Sequence, residues 1–267
     1  MTIDVQNPIY TFETVSRSDV GCVRKVNEDS LLALPESGLW LVADGMGGHA
    51  AGDFASQSIV AELQTVGIPD GAVDLRARFM DRLNSANALI LSHAAELGNG
   101  TIGSTIASLM VQQGHYACIW SGDSRVYRLR GGVLTQCTRD HTEVRTLLDN
   151  GTITPAEAEA WPRKNVITRA IGVTSDPECD IIEGALADQD VFLICSDGLT
   201  EYYNDDELER VMVRLGQSLD TLCDHLIATS LERGGKDNVT VVAIRCHQAP
   251  LPEFEADGVF PAFGDYL

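Results

Sequence analysis

The chain has 267 residues and a mass of 28.8 kDa, which is long enough to bury one large hydrophobic core in a single domain. Its formal net charge of −20 argues against a protein that wraps nucleic acid or lies on an anionic membrane, because the long-range field repels both. The same charge repels an anionic ligand unless cations are bound locally. We therefore expect no nucleic-acid partner, and a cation wherever the chain binds an anion.

The cysteines and the apolar segments indicate a cytoplasmic protein without membrane insertion. Seven cysteines are scattered along the chain without a C-x-x-C pair, which is typical of buried free thiols in a reducing compartment. The N-terminus lacks the basic start and apolar run of a signal peptide. Residues 98–122 carry no charged side chain, but the turn Gln112-Gln113-Gly114 divides them. Two buried strands fit this stretch better than a membrane span.

The first third of the chain predicts strands followed by two helices. Residues 9–19 are rich in Tyr, Phe, Thr and Val, and the apolar runs 31–34 and 39–43 are separated by a Pro-Glu-Ser-Gly turn. Apolar residues recur at helical spacing over residues 50–64 and 72–97. We expect a β-meander and then a helical pair.

The middle of the chain predicts a block of short strands and an irregular basic segment. Strands are expected at 103–112, 115–121, 124–130 and 133–137, separated by turns of the hairpin type. Residues 140–162 favour short helices, and residues 164–171 an extended form. Five basic residues make this the most basic part of the chain: Arg139, Arg145, Arg163, Lys164 and Arg169. They indicate either a solvated surface or a flap that faces a substrate.

The last third predicts two helices between strands and then a tail. Strands are expected at 181–182, 191–195 and 239–245, and helices at 204–214 and 217–232. The order of elements lacks the regular alternation of a doubly wound sheet. It indicates an α+β protein, a mostly antiparallel sandwich flanked by helical pairs. Residues 1–247 would form this domain, and residues 248–267 a flexible acidic tail with several prolines.

Acidic residues stand at the ends of three apolar runs. Residues 39–43 lead into Asp44-Gly45, residues 191–195 are followed closely by Asp197-Gly198, and Asp237 precedes the run that starts at Val239. A strand that ends in Asp and turns on glycine presents carboxylate and carbonyl oxygens at the rim of a sheet. Hard divalent cations bind oxygen ligands of these two kinds.

Six acids occupy such turn positions in total: Glu28, Asp29, Asp44, Asp123, Asp197 and Asp237. Two carboxylates about 4 Å apart repel by about 4 kcal/mol at an effective dielectric constant near 20. A convergent cluster therefore needs cations. Because the ligands are oxygens and no Cys/His set accompanies them, Mg²⁺ or Mn²⁺ is expected rather than zinc.

These residues resemble a known family, the bacterial metal-dependent Ser/Thr protein phosphatases (the PPM, or protein phosphatase 2C-like, family). The matching motifs run from about residue 12 to 245 in the order of the family. They are Arg24 with Asn27-Glu28-Asp29, Asp44-Gly45-Met46-Gly47-Gly48, Gly103-Ser104-Thr105, Ser121-Gly122-Asp123-Ser124-Arg125, Ile167-Thr168-Arg169-Ala170-Ile171-Gly172, Ser196-Asp197-Gly198 and Lys236-Asp237-Asn238.

The resemblance implies an α-β-β-α sandwich with two metal ions at one end, and a third in bacterial members. Asp44 would bridge both ions, the Gly45 carbonyl would bind the second, and Asp197 and Asp237 the first. Glu28 and Asp29 would hold metal-bound water, and Asp123 together with Asp197 would bind the third ion. Arg24 would bind the phosphate, and Thr105 and Asn238 would support the site.

The implied reaction is hydrolysis of phosphoserine or phosphothreonine on proteins. A hydroxide that bridges the two ions would attack phosphorus directly, so the chain needs no nucleophile of its own. Animal members carry a His after the Asp-Gly pair as a proposed general acid, but here that position is Met46. We expect a metal-bound water to donate the proton, and His49 is a second candidate. The expected substrates are phosphoproteins made by a bacterial Ser/Thr kinase, and the expected state is a monomer.

Two other interpretations stay open. The spacing Gly45-x-Gly47-x-x-Ala50 after a strand also matches a dinucleotide-binding turn, with Asp70 at a suitable distance. The β-rich surroundings lack the β-α-β frame that such a turn needs. The second alternative is a member of the same fold that binds phosphoproteins without hydrolysing them. Such a protein would be expected to lack a metal ligand, whereas here every position is filled.

Overall fold

The computed structural model describes residues 10–47, 51–98, 100–163 and 166–249. The strands are β1 (Tyr10–Asp19), β2 (Asp29–Leu34), β3 (Leu39–Gly47), β4 (Ile102–Ser104), β5 (Ile106–Gln112), β6 (His115–Ser121), β7 (Arg125–Arg130), β8 (Val133–Gln136), β9 (Asp180–Ala185), β10 (Val191–Cys195) and β11 (Val239–Gln248). The helices are α1 (Gly52–Leu63), α2 (Ala72–Glu96), α3 (Glu143–Asp149), α4 (Pro155–Glu159), α5 (Asp197–Thr200), α6 (Asp205–Leu215) and α7 (Leu219–Glu232).

The strands form two antiparallel sheets. One has the order β1-β11-β10-β7-β8, and the other has the order β2-β3-β5-β6-β9 with β4 paired to β3. Every pairing within them is antiparallel. The first and last strands of the described chain, β1 and β11, pair along their full length from Tyr10↔Gln248 to Asp19↔Val239.

Three layers of buried side chains hold the sandwich together. Successive side chains of β3 point to opposite faces, so Leu39 and Leu41 pack against α1 and α2 while Trp40 and Val42 pack between the sheets. The third layer lies between the other sheet and the helices α5–α7. The predicted α-β-β-α sandwich of antiparallel sheets is therefore confirmed.

The predicted elements differ from the structure in three places. The stretch 103–112 is two strands, β4 and β5, which pair with different parts of β3. The glycine-rich turn expected directly after Asp44 is a continuation of β3 to Gly47, where it pairs with β4. Residues 166–171, for which an extended form was expected, pair through two isolated bridges, Thr142↔Ile167 and Ser104↔Ile171. The short helix α5 was not predicted.

Two further predictions concern the remaining residues and the membrane. His49 and residues 250–267 lie outside the described residues, so the expectation of a flexible tail from residue 248 stays a prediction. Among the helices described, none combines the length and the apolar character required to cross a bilayer.

Candidate metal centre

The sheet topology brings the predicted acids to one end of the sandwich. Asp29 at the start of β2 lies directly opposite Asp44 near the end of β3. In the other sheet, Asp197 follows the end of β10 and Asp237 precedes the start of β11, and these two strands are antiparallel neighbours. Asp123 lies in the turn between β6 and β7. Antiparallel pairing therefore explains why acids far apart in sequence converge.

Hydroxyl groups fix the backbone around Asp44. The Asp44 amide donates to Thr105 Oγ1 at 3.1 Å, and the Asp44 carbonyl accepts from the Thr105 amide at 2.8 Å and from Ser104 Oγ at 3.0 Å. Thr105 Oγ1 also lies 2.7 Å from Ser124 Oγ, beyond the Asp123 turn. Thr105 therefore connects the Asp44 backbone to the Asp123 turn, and its supporting role at a metal site stays a prediction.

Asp29 is buried and only half satisfied. Its Oδ2 accepts a hydrogen bond of 2.7 Å from Ser196 Oγ, which itself accepts from the Thr240 amide at 3.0 Å. Its Oδ1 is buried with no hydrogen-bond partner among the described residues. An unpaired carboxylate oxygen inside a protein is unfavourable, so this oxygen is suited to a cation or to water held by one.

Asn238 holds the loop that carries Glu28. Its Oδ1 accepts from the Glu28 amide at 2.7 Å, and its Nδ2 donates to the carbonyls of Val20 and Val26 at 2.9 and 3.0 Å. The Glu28 carbonyl in turn accepts from the Gly45 amide at 3.0 Å. Asn238, the neighbour of Asp237 in sequence, is thus connected through Glu28 to the end of β3 at Gly45. Its supporting role at a metal site stays a prediction.

Two glycines permit close backbone approach at the centre. A Cβ on Gly45 would collide with the carbonyl of Gly52 at the start of α1, and a Cβ on Gly198 would collide with the carbonyl of Asn238. The Asp44-Gly45 and Asp197-Gly198 pairs therefore need glycine because of packing between backbones.

The carboxylates share an environment that opposes their ionisation. Burial, followed by the neighbouring carboxylates, raises the pKa of Asp44 and Asp123 well above the ordinary value. The same burial raises the pKa of Asp29 to about 7, although the nearby hydroxyl groups of Thr240 and Ser196 oppose it. Burial and the charges of Asp237 and Glu201 raise the pKa of Asp197 to about 6. Bound cations would reverse these shifts.

The donor set fits a hard divalent cation by its chemistry. All six predicted acids offer oxygen, and the partnerless Asp29 Oδ1 lies among them. Within the described residues, however, no three Asp, Glu, His or Cys side chains are arranged closely enough to enclose an ion.

Arg24 lies at the rim of the acid cluster. It belongs to the exposed loop between β1 and β2, and its Nη2 donates to Asp237 Oδ2 at 2.7 Å. Burial acts to lower the pKa of Arg24, but the hydrogen bond that Arg24 donates to Asp237 and the nearby carboxylates raise it overall. Arg24, the predicted phosphate-binding residue, is thus held in its charged form next to Asp237, a predicted metal ligand.

Met46 packs in the β-structure beyond Asp44. It pairs with Gly103 across β3 and β4, and its Cε lies 3.0 Å from the position that a Cβ on Gly103 would occupy. A thioether has no proton to transfer, so packing explains this residue. The alternative donor His49 lies outside the described residues.

The basic middle segment borders the acid cluster. A cavity of about 280 Å³ opens between α3–α4 and the carboxylates of Asp123 and Asp197, and Arg125 and Arg145 line it. The described arginines of the segment are paired with acids: Arg139 and Arg145 with Asp149, Arg163 with Glu143, and Arg169 with Asp180. The segment therefore forms a wall of the cleft while its charges are largely neutralised.

Several contributors were missed by sequence reasoning. Ser196 Oγ donates to the Asp29 carboxylate, and the Thr240 amide donates to Ser196 Oγ. Ser124 Oγ contacts the Thr105 hydroxyl, and His141 holds the Asp123 turn. Ser196 and Ser124 stand beside predicted ligands, so adjacency was an available signal. Thr240 and His141 carried none, because their contacts arise from tertiary pairing.

Comparison with known proteins decides the family. The family model described as Stage II sporulation protein E (SpoIIE) matches residues 41–247. The serine/threonine protein phosphatase PstP of Mycobacterium tuberculosis (strain CDC 1551 / Oshkosh) is 38% identical over 231 residues, 85% of this chain and 43% of PstP. The structure of PppA, a key regulatory component of T6SS in Pseudomonas aeruginosa, is 40% identical, with a TM-score of 0.82, over 88% of this chain and 98% of PppA. The chain belongs to the PPM family of serine/threonine protein phosphatases.

A second PPM structure bears on the metal. The catalytic domain of PstP in complex with two manganese ions is 34% identical to this chain, with a TM-score of 0.80, and covers 90% of this chain and 100% of that domain. The chain spans less than half of the length of the curated mycobacterial relative. Within the PPM fold, β3 is antiparallel to β2, β4 and β5, so the dinucleotide-binding interpretation loses its β-α-β frame.

Proposed function

We propose that this chain is a metal-dependent phosphatase that hydrolyses phosphoserine and phosphothreonine on proteins, with two or three Mn²⁺ or Mg²⁺ ions. The observation that supports the proposal most is the convergence of five aspartates at one end of a PPM fold. Burial raises the pKa of Asp29, Asp44, Asp123 and Asp197. The manganese ions of the PstP domain support the choice of metal.

The proposed metal ligands come from both sheets. Asp44, the Gly45 carbonyl and, through water, Glu28 and Asp29 come from the sheet that contains β3. Asp197 and Asp237 come from the sheet that contains β10 and β11, and Asp123 from the β6–β7 turn. When bound, such ions acidify water and provide a nucleophile near neutral pH. The hydroxyl groups that hold Asp44 and Asp29 reduce the reorganisation that the ligands must undergo.

Arg24 is proposed to bind the phosphoryl group. Its guanidinium is about half exposed and already lies at the rim of the cluster, on the side chain of Asp237. A planar guanidinium suits a two-point contact with phosphate oxygens. Were Asp237 to hold a cation, the guanidinium of Arg24 would be free to bind the substrate phosphate.

The substrate is proposed to be a phosphoprotein produced by a bacterial Ser/Thr kinase. The cavity beside Asp123 and Asp197 provides room for side chains that flank the phosphorylated residue. The thiols in the described residues are free, and most are buried, which supports a cytoplasmic location. The expectation of a monomer stays a prediction.

The decisive experiment measures hydrolysis of a phosphothreonine peptide with Mn²⁺ and with EDTA. Wild type should turn over only with metal, and Asp237→Asn should lose about a thousandfold in kcat/KM, which corresponds to about 4 kcal/mol of transition-state stabilisation. Asp81→Asn is the matched control, because Asp81 is an exposed acid on α2 whose charge lies outside the cluster.

Two results would contradict the proposal in different ways. Turnover that persists in EDTA would remove the metal mechanism. Tight binding of the phosphopeptide without turnover in Mn²⁺, with metal uptake confirmed by calorimetry, would favour the non-catalytic phosphoprotein-binding alternative.

A further inference from the structure

His141 makes an unusual double contact with one residue of the Asp123 turn. Its backbone amide donates to the Gly122 carbonyl at 2.9 Å, and its Nδ1 accepts from the Gly122 amide at 3.2 Å. Both backbone polar groups of Gly122 are therefore satisfied by a single residue. Gly122 has a φ of 110°, a conformation that favours glycine. The backbone conformation of the turn is therefore fixed both by the glycine and by its hydrogen bonds with His141.

The other ring nitrogen of His141 is also engaged. Its Nε2 lies 3.2 Å from Asp180 Oδ2, and Asp180 Oδ1 accepts from Arg169 at 2.8 Å. Because Nδ1 accepts a hydrogen bond, the proton of the neutral ring resides on Nε2, which donates to Asp180. The ring is 8% exposed and stacks on Trp120, with centroids 5.9 Å apart.

Gly122 is held on its opposite side by the residue that orients Asp44. A Cβ on Gly122 would lie 2.6 Å from Thr105 Cγ2. Thr105 in turn accepts the hydrogen bond of the Asp44 amide. His141 therefore presses the Asp123 turn against the support of Asp44, and it sets the spacing between two predicted metal ligands, one on β3 and the other in the β6–β7 turn.

We propose that His141 is the positioning residue of the Asp123 turn, and that Asp180 fixes its tautomer. The catalytic consequence rests on the proposed function, but the positioning itself concerns only the backbone of Gly122. His141 does not act as a proton donor to the leaving group, because its lone pair faces Gly122 and its N–H faces Asp180.

The first test uses metal-free protein and needs no activity. Amide hydrogen exchange of Gly122 should accelerate about tenfold or more in His141→Ala, because that amide loses its acceptor. His141→Asn should keep most of the protection, since Oδ1 of Asn lies close to the position of Nδ1. His141→Gln is the matched control, because its amide is displaced toward the position of Nε2. Nitrogen NMR of the wild-type ring should report the Nε2–H form.

The second test asks whether His141 acts through Asp123. In Mn²⁺, kcat/KM for the phosphothreonine peptide should fall about tenfold in His141→Ala and less than about threefold in His141→Asn. In an Asp123→Asn background, His141→Ala should cost little more, since the turn then has no carboxylate to position. Asp180→Ala should weaken the Nε2–H preference in the NMR spectrum without removing the ring.

The outcomes separate this inference from the proposed function. Unchanged Gly122 exchange in His141→Ala, equal damage in the Asn and Ala variants, or an Nδ1–H ring would overturn the positioning role. The exchange and NMR results stand even if wild type fails to hydrolyse any peptide, which would contradict only the proposed function. If His141→Ala does not fold, the Asn and Gln variants still decide between the two ring nitrogens.

Discussion

The predicted metal ligands lie at one end of the sandwich, called the edge below, and the basic middle segment has acids of its own. These two groups of acids have different partners. At the edge, the Asp29 carboxylate receives a hydrogen bond from the neutral hydroxyl group of Ser196, and burial raises its pKa. In the middle segment, Asp149 receives the guanidinium groups of Arg139 and Arg145, and its pKa is lowered, chiefly by the hydrogen bond from Arg139. The acids of the segment are neutralised by nearby arginines, whereas the acids at the edge have few cationic neighbours. A bound metal ion would neutralise the negative charge at the edge.

The largest expected effect comes from removing the acid at the centre of the edge. Asp44→Asn should lower metal-dependent kcat/KM about a thousandfold or more, because Asp44 is the proposed bridge between ions. The backbone bonds of Asp44 to Ser104 and Thr105 remain available, so the variant should fold. Steady-state hydrolysis in Mn²⁺ and circular dichroism measure the two properties.

Asp81→Asn serves again as the control for this substitution, because it removes one negative charge from the exposed surface of α2. An equal loss of activity in both variants would attribute the effect to net charge. It would then remove the distinction between the edge and the rest of the surface.

The second prediction concerns the stability of metal-free protein. The folded-state pKa of Asp29 is about 7, above its ordinary value of 3.8, so its contribution to stability is present below pH 4 and is lost as the pH rises through 7. In EDTA at pH 8, Asp29→Asn should therefore melt about 5 °C or more above wild type. At pH 4 the difference in Tm between the two proteins should shrink.

Thermal melts at several pH values measure this difference, and saturating Mn²⁺ provides the complementary condition. Metal should stabilise wild type more than Asp29→Asn. A difference in Tm that is the same at pH 4 and pH 8 would show that the carboxylate of Asp29 is not strained by its surroundings.

The third prediction is the release of protons on metal binding. Because Asp29 and Asp197 have pKa values of about 7 and about 6, they are partly protonated near pH 6 and must lose those protons to act as ligands. Calorimetric titration with Mn²⁺ in two buffers of different ionisation enthalpy should give about one released proton or more at pH 6. Fewer should be released at pH 8, and a number independent of pH would contradict the raised pKa values.

The smallest effect is expected in the middle segment, with the opposite sign. Because the pKa of Asp149 is lowered, its contribution to stability is present above its unfolded pKa and is lost as the pH falls through the folded one. Asp149→Asn should thus lower Tm at pH 7, by less than about 2 °C, since surface ion pairs contribute little. Peptide hydrolysis should stay unchanged. A stabilisation at pH 7 would mean that the two groups of acids do not differ.

Much of the fold could be predicted from the sequence because its signals are local. The apolar runs before Asp44 and Asp197 and the periodicity of α2 and α7 depend on neighbouring residues, and these elements formed as expected. The six acids next to strands were also expected to meet, and their role as metal ligands stays a prediction. Those inferences used only the alternation of strands and the oxygen preference of hard cations.

The remaining features depend on contacts between distant residues. Gly45 to Gly47 look like a turn in sequence, but pairing with β4 keeps them extended. His141 comes 18 residues after Asp123, in a basic stretch that the sequence indicated to be either a solvated surface or a flap. Only the folded chain brings His141 to Gly122. Ser196 and Thr240 acquire their roles because β10 and β11 are neighbours.

The close backbone approaches at Gly45 and Gly198 have a consequence for mutational tolerance. At each position a single methyl group would meet a carbonyl oxygen, at the start of α1 for Gly45 and next to β11 for Gly198. In a saturation-mutagenesis scan, both glycines should rank as intolerant as the aspartates beside them, although neither offers a side chain to the reaction. Alanine at either position would separate the elements that carry the ligands while leaving every carboxylate in the chain.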